Sequence, residues 1–342
     1  MKKRFLFSLA LCSFSSLLAG MYLDVSSAVW DGGGEQIYDP FVAQEYVQEL
    51  PFSVQLSYQI DEASSYKERI TAFIEFLKNL RRGGGKYFVT VSSKSSYNNR
   101  ELHSSYGVLP YQIYKDHAKT QILKSLDETL SKNEIIEGQF KQFGWGGWMH
   151  GGIELRDEQK YYLSIPAKRF VQAGVYQDTY TFKLYSGEFD KSAAQSEDIK
   201  NVVFTSYVPS LAQISLVESG ASFDEFDTKQ SIEFGELIEG AEQSFDIQVR
   251  SNSPYVLSME SENKGFLRYE GYGSSDEDKV SYVLSVDGHA QDLSVEKDIF
   301  SQSSISDASG RQHRVFVSIG KVDFPRAGSY KDNISVTCRT LE

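Results

Sequence analysis

Apolar and polar residues alternate along most of this chain with the period of two that marks half-buried β-strands. The clearest runs are LPFSVQLSY at 50–58, KYFVTVS at 86–92, YLSIP at 162–166, YTFKLY at 180–185, FDIQV at 245–249, YVLSM at 255–259, VSYVLSV at 280–286, VFVSI at 315–319 and ISVTC at 334–338. The runs VLPYQIYK at 108–115 and IEFGEL at 232–237 are expected to be strands as well. One stretch keeps a different period: Ile70, Phe73, Ile74, Leu77 and Leu80 recur at helical spacing ahead of Gly83, Gly84 and Gly85, which predicts a short amphipathic helix over 65–82. Ile122, Leu123, Leu126 and Leu130 predict a second short helix or a packed loop.

A six-residue signature occurs twice. Residues 173–178 read AGVYQD and residues 327–332 read AGSYKD, each with an alternating run before it and another after it. A strand, a Gly-containing turn and a closing strand have been used twice, so the chain is expected to be a tandem of related β domains. Residues 186–200, rich in Ser, Gly, Lys, Asp and Glu, are expected to be the linker. The division expected is residues 21–190 for the first domain and 200–342 for the second, whose first strand would contain Val202, Val203 and Phe204. Many short strands separated by Gly and Asn turns predict an all-β fold of two sandwiches. A Tyr-centred strand recurs too, Tyr111 in LPYQIY and Tyr282 in VSYVLS.

The 342 residues are more than one sandwich usually needs. Abundant Tyr (21) and Phe (22) with only 7 Pro suit strands. Lys2, Lys3 and Arg4, the apolar run Phe5–Leu18 and the small pair Ala19-Gly20 read as a secretory signal over residues 1–20, too short to remain as a membrane span. The net charge is −12, and losing residues 1–20 would bring it to −15. That argues against a nucleic-acid partner, which needs clustered basic surface. Of 2 Cys, Cys12 lies in the signal, so Cys338 would be left alone, either a buried small hydrophobe or one half of an intermolecular disulfide. Leu23, Val25 and Val29 share one face of an extended segment before Gly32-Gly33-Gly34. That segment is either the first strand of its own domain or a donor strand offered to a neighbour.

In four places the first unit resembles the spore coat protein U domain, the subunit fold of archaic (Csu-type) chaperone–usher pili: YFVTV at 87–91, NREL at 99–102, LPYQIY at 109–114, and Ile165-Pro166 with AGVYQD at 173–178. The second unit resembles a divergent copy through FGEL at 234–237, SNSPY at 251–255, VSY at 280–282 and AGSYKD at 327–332. The resemblance implies pilin-type, immunoglobulin-like sandwiches, the last of them lacking its closing strand. The gap would be filled by a periplasmic chaperone during passage through an outer-membrane usher, and then by the neighbouring pilus subunit. The second signature lies at the C-terminal end, so its hairpin is expected to border that gap. A two-domain member resembles a tip adhesin, which implies a cell-surface pilus (fimbrium), attachment and biofilm formation. Many members carry a disulfide; this chain departs from them with its single Cys after the signal.

The candidate binding segment is FGWGGWMHGG at 143–152, where Phe143, Trp145, Trp148 and Met149 stand among glycines with neither helical nor strand period. Exposed, they would give apolar contact area for an abiotic surface or a host glycan; otherwise the Trp side chains pack into the sandwich. No catalytic constellation stands out, so no enzyme is expected. The five His (103, 117, 150, 289, 313) lack metal-ligand spacing, and no cofactor or metal is expected. Two other classes compete with the pilus subunit: a structural spore or cell coat or matrix protein of the same fold, and a secreted glycan-binding module.

Overall fold

The computed structural model describes residues 18–26, 28–30, 38–41, 44–59, 65–81, 85–140, 152–167, 170–271, 278–295, 297–302, 305–306, 308–323 and 326–341. Among the described residues the fold is all-β, two tandem sandwiches with one α-helix. The strands of the first unit are β1 (Leu18–Val25), β2 (Ala28–Trp30), β3 (Tyr46–Gln59), β4 (Lys86–Ser93), β5 (Glu101–Ser104), β6 (Gly107–Pro110), β7 (Gln112–Tyr114), β8 (Ile136–Gln139), β9 (Gly152–Ile165), β10 (Gly174–Ser186) and β11 (Ser196–Val208). Helix α1 (Tyr66–Arg81) lies between β3 and β4. One sheet runs β1-β3-β9-β7; the facing sheet runs β2-β11-β10-β4-β8 and carries the β5–β6 hairpin.

The second unit contains β12 (Ala212–Glu218), β13 (Glu242–Ser251), β14 (Tyr255–Ser261), β15 (Phe266–Tyr269), β16 (Lys279–Val286), β17 (His289–Ala290), β18 (Lys297–Gln302), β19 (Arg311–Ile319), β20 (Tyr330–Lys331) and β21 (Ile334–Thr340). Its larger sheet runs β12-β13-β19-β16-β15-β20, with β17 on β16, and its smaller sheet runs β18-β14-β21.

The pairings repeat between units. The order β1-β3-β9-β7 recurs as β12-β13-β19-β16, and the β4–β10 pair recurs as β14–β21. In the first unit β10 has a further antiparallel partner, β11, in register from Gly174↔Val208 to Leu184↔Asp198. Among the described residues β21 has no such second partner; its ladder runs along β14 alone.

Each sandwich closes on its own core. Val54, Val91, Ile113, Leu163 and Phe182 are fully buried in the first, Ile247, Val249, Leu257 and Val315 in the second. The run at 86–93 is buried on both faces because Phe88, which points away from the main core, stacks on Tyr185 at 4.8 Å over Ile135.

Several expectations need correction. Residues 186–200 are not the linker. They form the β10–β11 connection and the start of β11, whose Val202, Phe204 and Val208 are buried in the first core, so these residues open no second unit. The first unit therefore extends to Val208, and the chain passes to the second through Pro209–Leu211. The run at 108–115 is two strands, broken at Tyr111 where the chain changes sheet. Residues 122–130 form a packed loop around the buried Leu123, with Leu130 exposed. Residues 232–237, expected to be a strand, join no ladder.

Other readings match. Helix α1 opens with Ser65 and Glu68 bonding reciprocally, Ser65 N to Glu68 Oε2 at 2.8 Å and Glu68 N to Ser65 Oγ at 3.4 Å. Its Phe73 is buried against the first core with Phe76 and Leu77 beside it, while Ile74 is exposed. The segment at 21–30 forms strands of its own domain: β1 pairs antiparallel with β3, and β2 pairs parallel with β11.

Candidate functional site

The repeated signature builds the same device twice. Gly174 has φ +149° and Gly328 has φ +150°, angles that disfavour a side chain, and a Cβ on Gly328 would meet the Tyr269 ring at 2.5 Å. The next tyrosine turns back on its own chain. Tyr176 donates its hydroxyl to the Gln172 carbonyl at 2.7 Å, and Tyr330 donates to the Arg326 carbonyl at 3.1 Å. The aspartate closes the device by accepting a bond from the Tyr-centred strand: Tyr111 donates to Asp178 at 2.8 Å and Tyr282 to Asp332 at 2.5 Å. Burial, reinforced by Asp332, pushes the Tyr282 hydroxyl well above its ordinary range, so it remains a donor.

Beside the second copy lies a groove of about 610 Å³ between the two sheets. Leu216 of β12 and Ile334 and Val336 of β21 form opposite walls, with Phe245, Tyr282 and Val317 between them. The alternation on β21 explains this wall: Ile334, Val336 and Cys338 are half-buried against the second core, whereas Ser335, Thr337 and Arg339 face out. Burial pushes the Cys338 thiol up to about 11, which keeps it neutral and agrees with the small-hydrophobe reading. A strand edge beside a groove that exposes apolar side chains such as Leu216, Phe245, Val317 and Val336 among polar ones offers main-chain donors and acceptors together with pockets, the combination that captures an extended peptide.

The corresponding place in the first unit is occupied by β11, which pairs with β10 on one side and β2 on the other. Leu23 N also donates to Asp198 Oδ2 at 2.8 Å, tying β1 to the same strand.

Residues 86–183 match the Spore Coat Protein U domain. This Spore Coat Protein U segment runs from β4 into β10 and includes Arg100, Tyr111 and the first signature. It is a structural, non-enzymatic domain. Comparison with curated proteins finds no match. Among solved structures, the chain is similar to the CsuC–CsuE chaperone–tip adhesion subunit pre-assembly complex from archaic chaperone-usher Csu pili of Acinetobacter baumannii, at 13% identity and TM-score 0.42, over 93% of this chain and 99% of that one. It is also similar to CfaE, the adhesive subunit of CFA/I fimbria of enterotoxigenic Escherichia coli, at 13% identity and TM-score 0.32, over 75% of this chain and 83% of that one. Likeness at this level leaves the fold to be argued from the chain's own strand pairing.

The sequence-predicted binding residues Phe143, Trp145, Trp148 and Met149 lie outside the described residues, in the segment joining β8 to β9. The groove residues went unnoticed as a site because each belongs to an ordinary strand pattern. Among the described residues no group of three or more His, Cys, Asp and Glu is arranged to hold a metal, and no helix is long and apolar enough to cross a membrane.

Proposed function

We propose that the protein is a secreted subunit of an archaic chaperone–usher pilus whose second unit accepts an extended strand from another chain. The observation that carries the reading is the contrast between units: β10 is flanked by β11, whereas β21 is flanked by a groove of about 610 Å³. A strand laid along β21 would gain main-chain bonds to its free edge and set alternate side chains into the apolar floor. A periplasmic chaperone would supply it first, escorting the chain to an outer-membrane usher, and the neighbouring subunit would supply it afterwards. The Spore Coat Protein U match supports the same class of assembly protein.

The two-unit plan suits the pilus tip. The first unit, whose strand positions are filled from within the chain, is the distal adhesive domain, and the second, a divergent copy, docks to the shaft. The protein then reaches the cell surface through the periplasm and mediates attachment and biofilm formation. Phe143, Trp145, Trp148 and Met149 supply the contact with an abiotic surface or host glycan.

Co-purification of the full chain from periplasm tests the assembly role. A stable one-to-one complex with a chaperone is expected; a well-behaved monomer whose second unit binds no strand donor overturns the role. For the adhesive site, Trp145→Ala with Trp148→Ala is expected to abolish attachment while secretion persists. Attachment that survives the double change removes those residues from the site.

A further inference from the structure

The run Ile232–Leu237 has the side-chain pattern of a strand and the hydrogen bonding of a loop. Ile232 and Phe234 are half-buried against the second core, while Ser231, Glu233 and Glu236 are exposed. Ile232, Phe234 and Leu237 all line the groove between β12 and β21. Yet among the described residues no backbone hydrogen bond reaches residues 229–237.

The segment is held at its ends. Leu216 N on β12 donates to the Asp227 carbonyl at 2.7 Å. On the far side Gly240 N donates to the Ile319 carbonyl and Ile319 N to the Ala241 carbonyl, both at 2.9 Å. Between these anchors Gly235, at φ +66°, turns the chain after Phe234.

We propose that residues 228–238 are an internal strap that lies along the strand-accepting groove of the second unit, partly covering its apolar side chains, and is displaced when a partner strand inserts. The inference rests on the reading of that groove as a strand acceptor and adds what occupies it beforehand. An incoming strand can offer the same alternating apolar side chains and, in addition, a main-chain ladder along β21. The strap has the first and lacks the second, so it partly shields the apolar floor from water without matching the partner. Its tether compensates: a short flexible connection gives an effective concentration on the order of millimolar, enough to exclude a weakly binding free peptide. Partial groove closure would then be the resting state of the unassembled subunit, and edge-to-edge aggregation would be suppressed before a chaperone arrives.

The test uses the full-length protein and a synthetic peptide with the strap's own sequence, residues 228–238. Ile232→Ser with Phe234→Ser is expected to empty the groove, raise fluorescence of an apolar dye such as ANS several-fold, and bind the peptide at least tenfold more tightly than the unsubstituted chain. Glu233→Ser, on the outward face, is expected to change neither readout. Phe234→Ala alone should give an intermediate affinity and carries the comparison if the double variant does not melt as a folded protein. Equal peptide affinity in the unsubstituted and strap-opened proteins, or no rise in dye fluorescence in a folded variant, overturns the strap. No chaperone enters these measurements. A missing chaperone complex would sink the pilus reading while leaving the strap measurable, and the reverse also holds.

Discussion

Tyr282 donates its hydroxyl to Asp332 across 2.5 Å, and Tyr111 donates to Asp178 across 2.8 Å at the matching place in the other unit. Each bond ties the Tyr-centred run of its unit to the aspartate of that unit's signature, which lies in β10 in the first unit and just ahead of β21 in the second. A hydroxyl bonded to a carboxylate is stronger than a neutral pair, and both tyrosines are buried. Tyr282→Phe is therefore expected to cost the second unit about 1.5 kcal/mol, and Tyr111→Phe to cost the first unit about the same. Urea unfolding followed by residue-resolved hydrogen exchange checks this. Each substitution should lower protection in its own unit and spare the other, and a uniform loss would show that the bonds do not act locally.

Arg100 is the largest buried polar side chain of the first unit, at 2% exposure. Its guanidinium donates to the Gln112 side chain at 2.7 Å, the Leu123 carbonyl at 2.8 Å, the Val91 carbonyl at 3.1 Å and Ser93 Oγ at 3.3 Å. It thus fastens β4 to the 115–130 loop. Burial pushes its pKa down to about 10, with Tyr111 and acidic groups opposing, so it stays charged at neutral pH. Arg100→Leu should leave several buried acceptors without a donor and destabilise the first unit by about 3 kcal/mol. Arg100→Lys should recover only part of this, because an ammonium cannot reproduce the planar fork. Denaturant midpoints of both variants decide; a neutral Arg100→Lys would show that charge rather than the fork matters.

Much of this was legible in the sequence because period-two patterning and the A-G-x-Y-x-D signature are local. The glycine angle, the tyrosine bonded four residues back and the aspartate that receives the other tyrosine are all contained in the six letters, the residue before them and one Tyr-centred run. Residues 186–200 were misread because a polar Gly/Ser/Asp segment has the composition of a linker, whereas here it is a long β-hairpin connection whose partner strand resumes at Ser196. Ile232–Leu237 was misread for the opposite reason. Alternation reports which side chains face a core and says nothing about whether a neighbouring strand supplies the ladder. The gap beside the second hairpin was expected from the resemblance, but the residues that line it emerged only once the two units were compared strand by strand.

Asn252 fastens the passage between units. It is fully buried; its Nδ2 donates to the Pro209 carbonyl at 2.9 Å, its Oδ1 accepts from Leu211 N at 2.7 Å, and its carbonyl accepts from Ala173 N at 2.8 Å. One side chain thus satisfies two main-chain groups of 209–211, and its backbone reaches the first signature. Asn252→Ala should cost about 2 kcal/mol by leaving those groups unpartnered. It should also separate the unfolding of the two units, visible by calorimetry as a broadened or split transition. A variant that melts at a lower temperature in one sharp step would confine Asn252 to the stability of its own turn.

His313 gives the second unit a dependence on acid. Its ring is fully buried, with Nδ1 2.8 Å from Asp287 Oδ2, Nε2 2.9 Å from the Tyr255 hydroxyl and the Phe300 ring centroid at 4.3 Å. Burial pushes its pKa below the ordinary 6.5; Asp287 opposes that shift, and Arg311 adds to it. The folded ring therefore stays neutral over a range in which the unfolded ring takes up a proton. Stability from this site is fully present above about pH 6.5 and is lost as pH falls through the lowered folded-state value, with a slope of at most about 1.4 kcal/mol per pH unit for one proton. The melting temperature of the second unit should accordingly fall between pH 7.5 and pH 5, and His313→Gln, with no ring to protonate, should flatten that fall even if it lowers stability at pH 7.5. An unchanged pH profile in the folded variant would mean that other groups set the acid sensitivity.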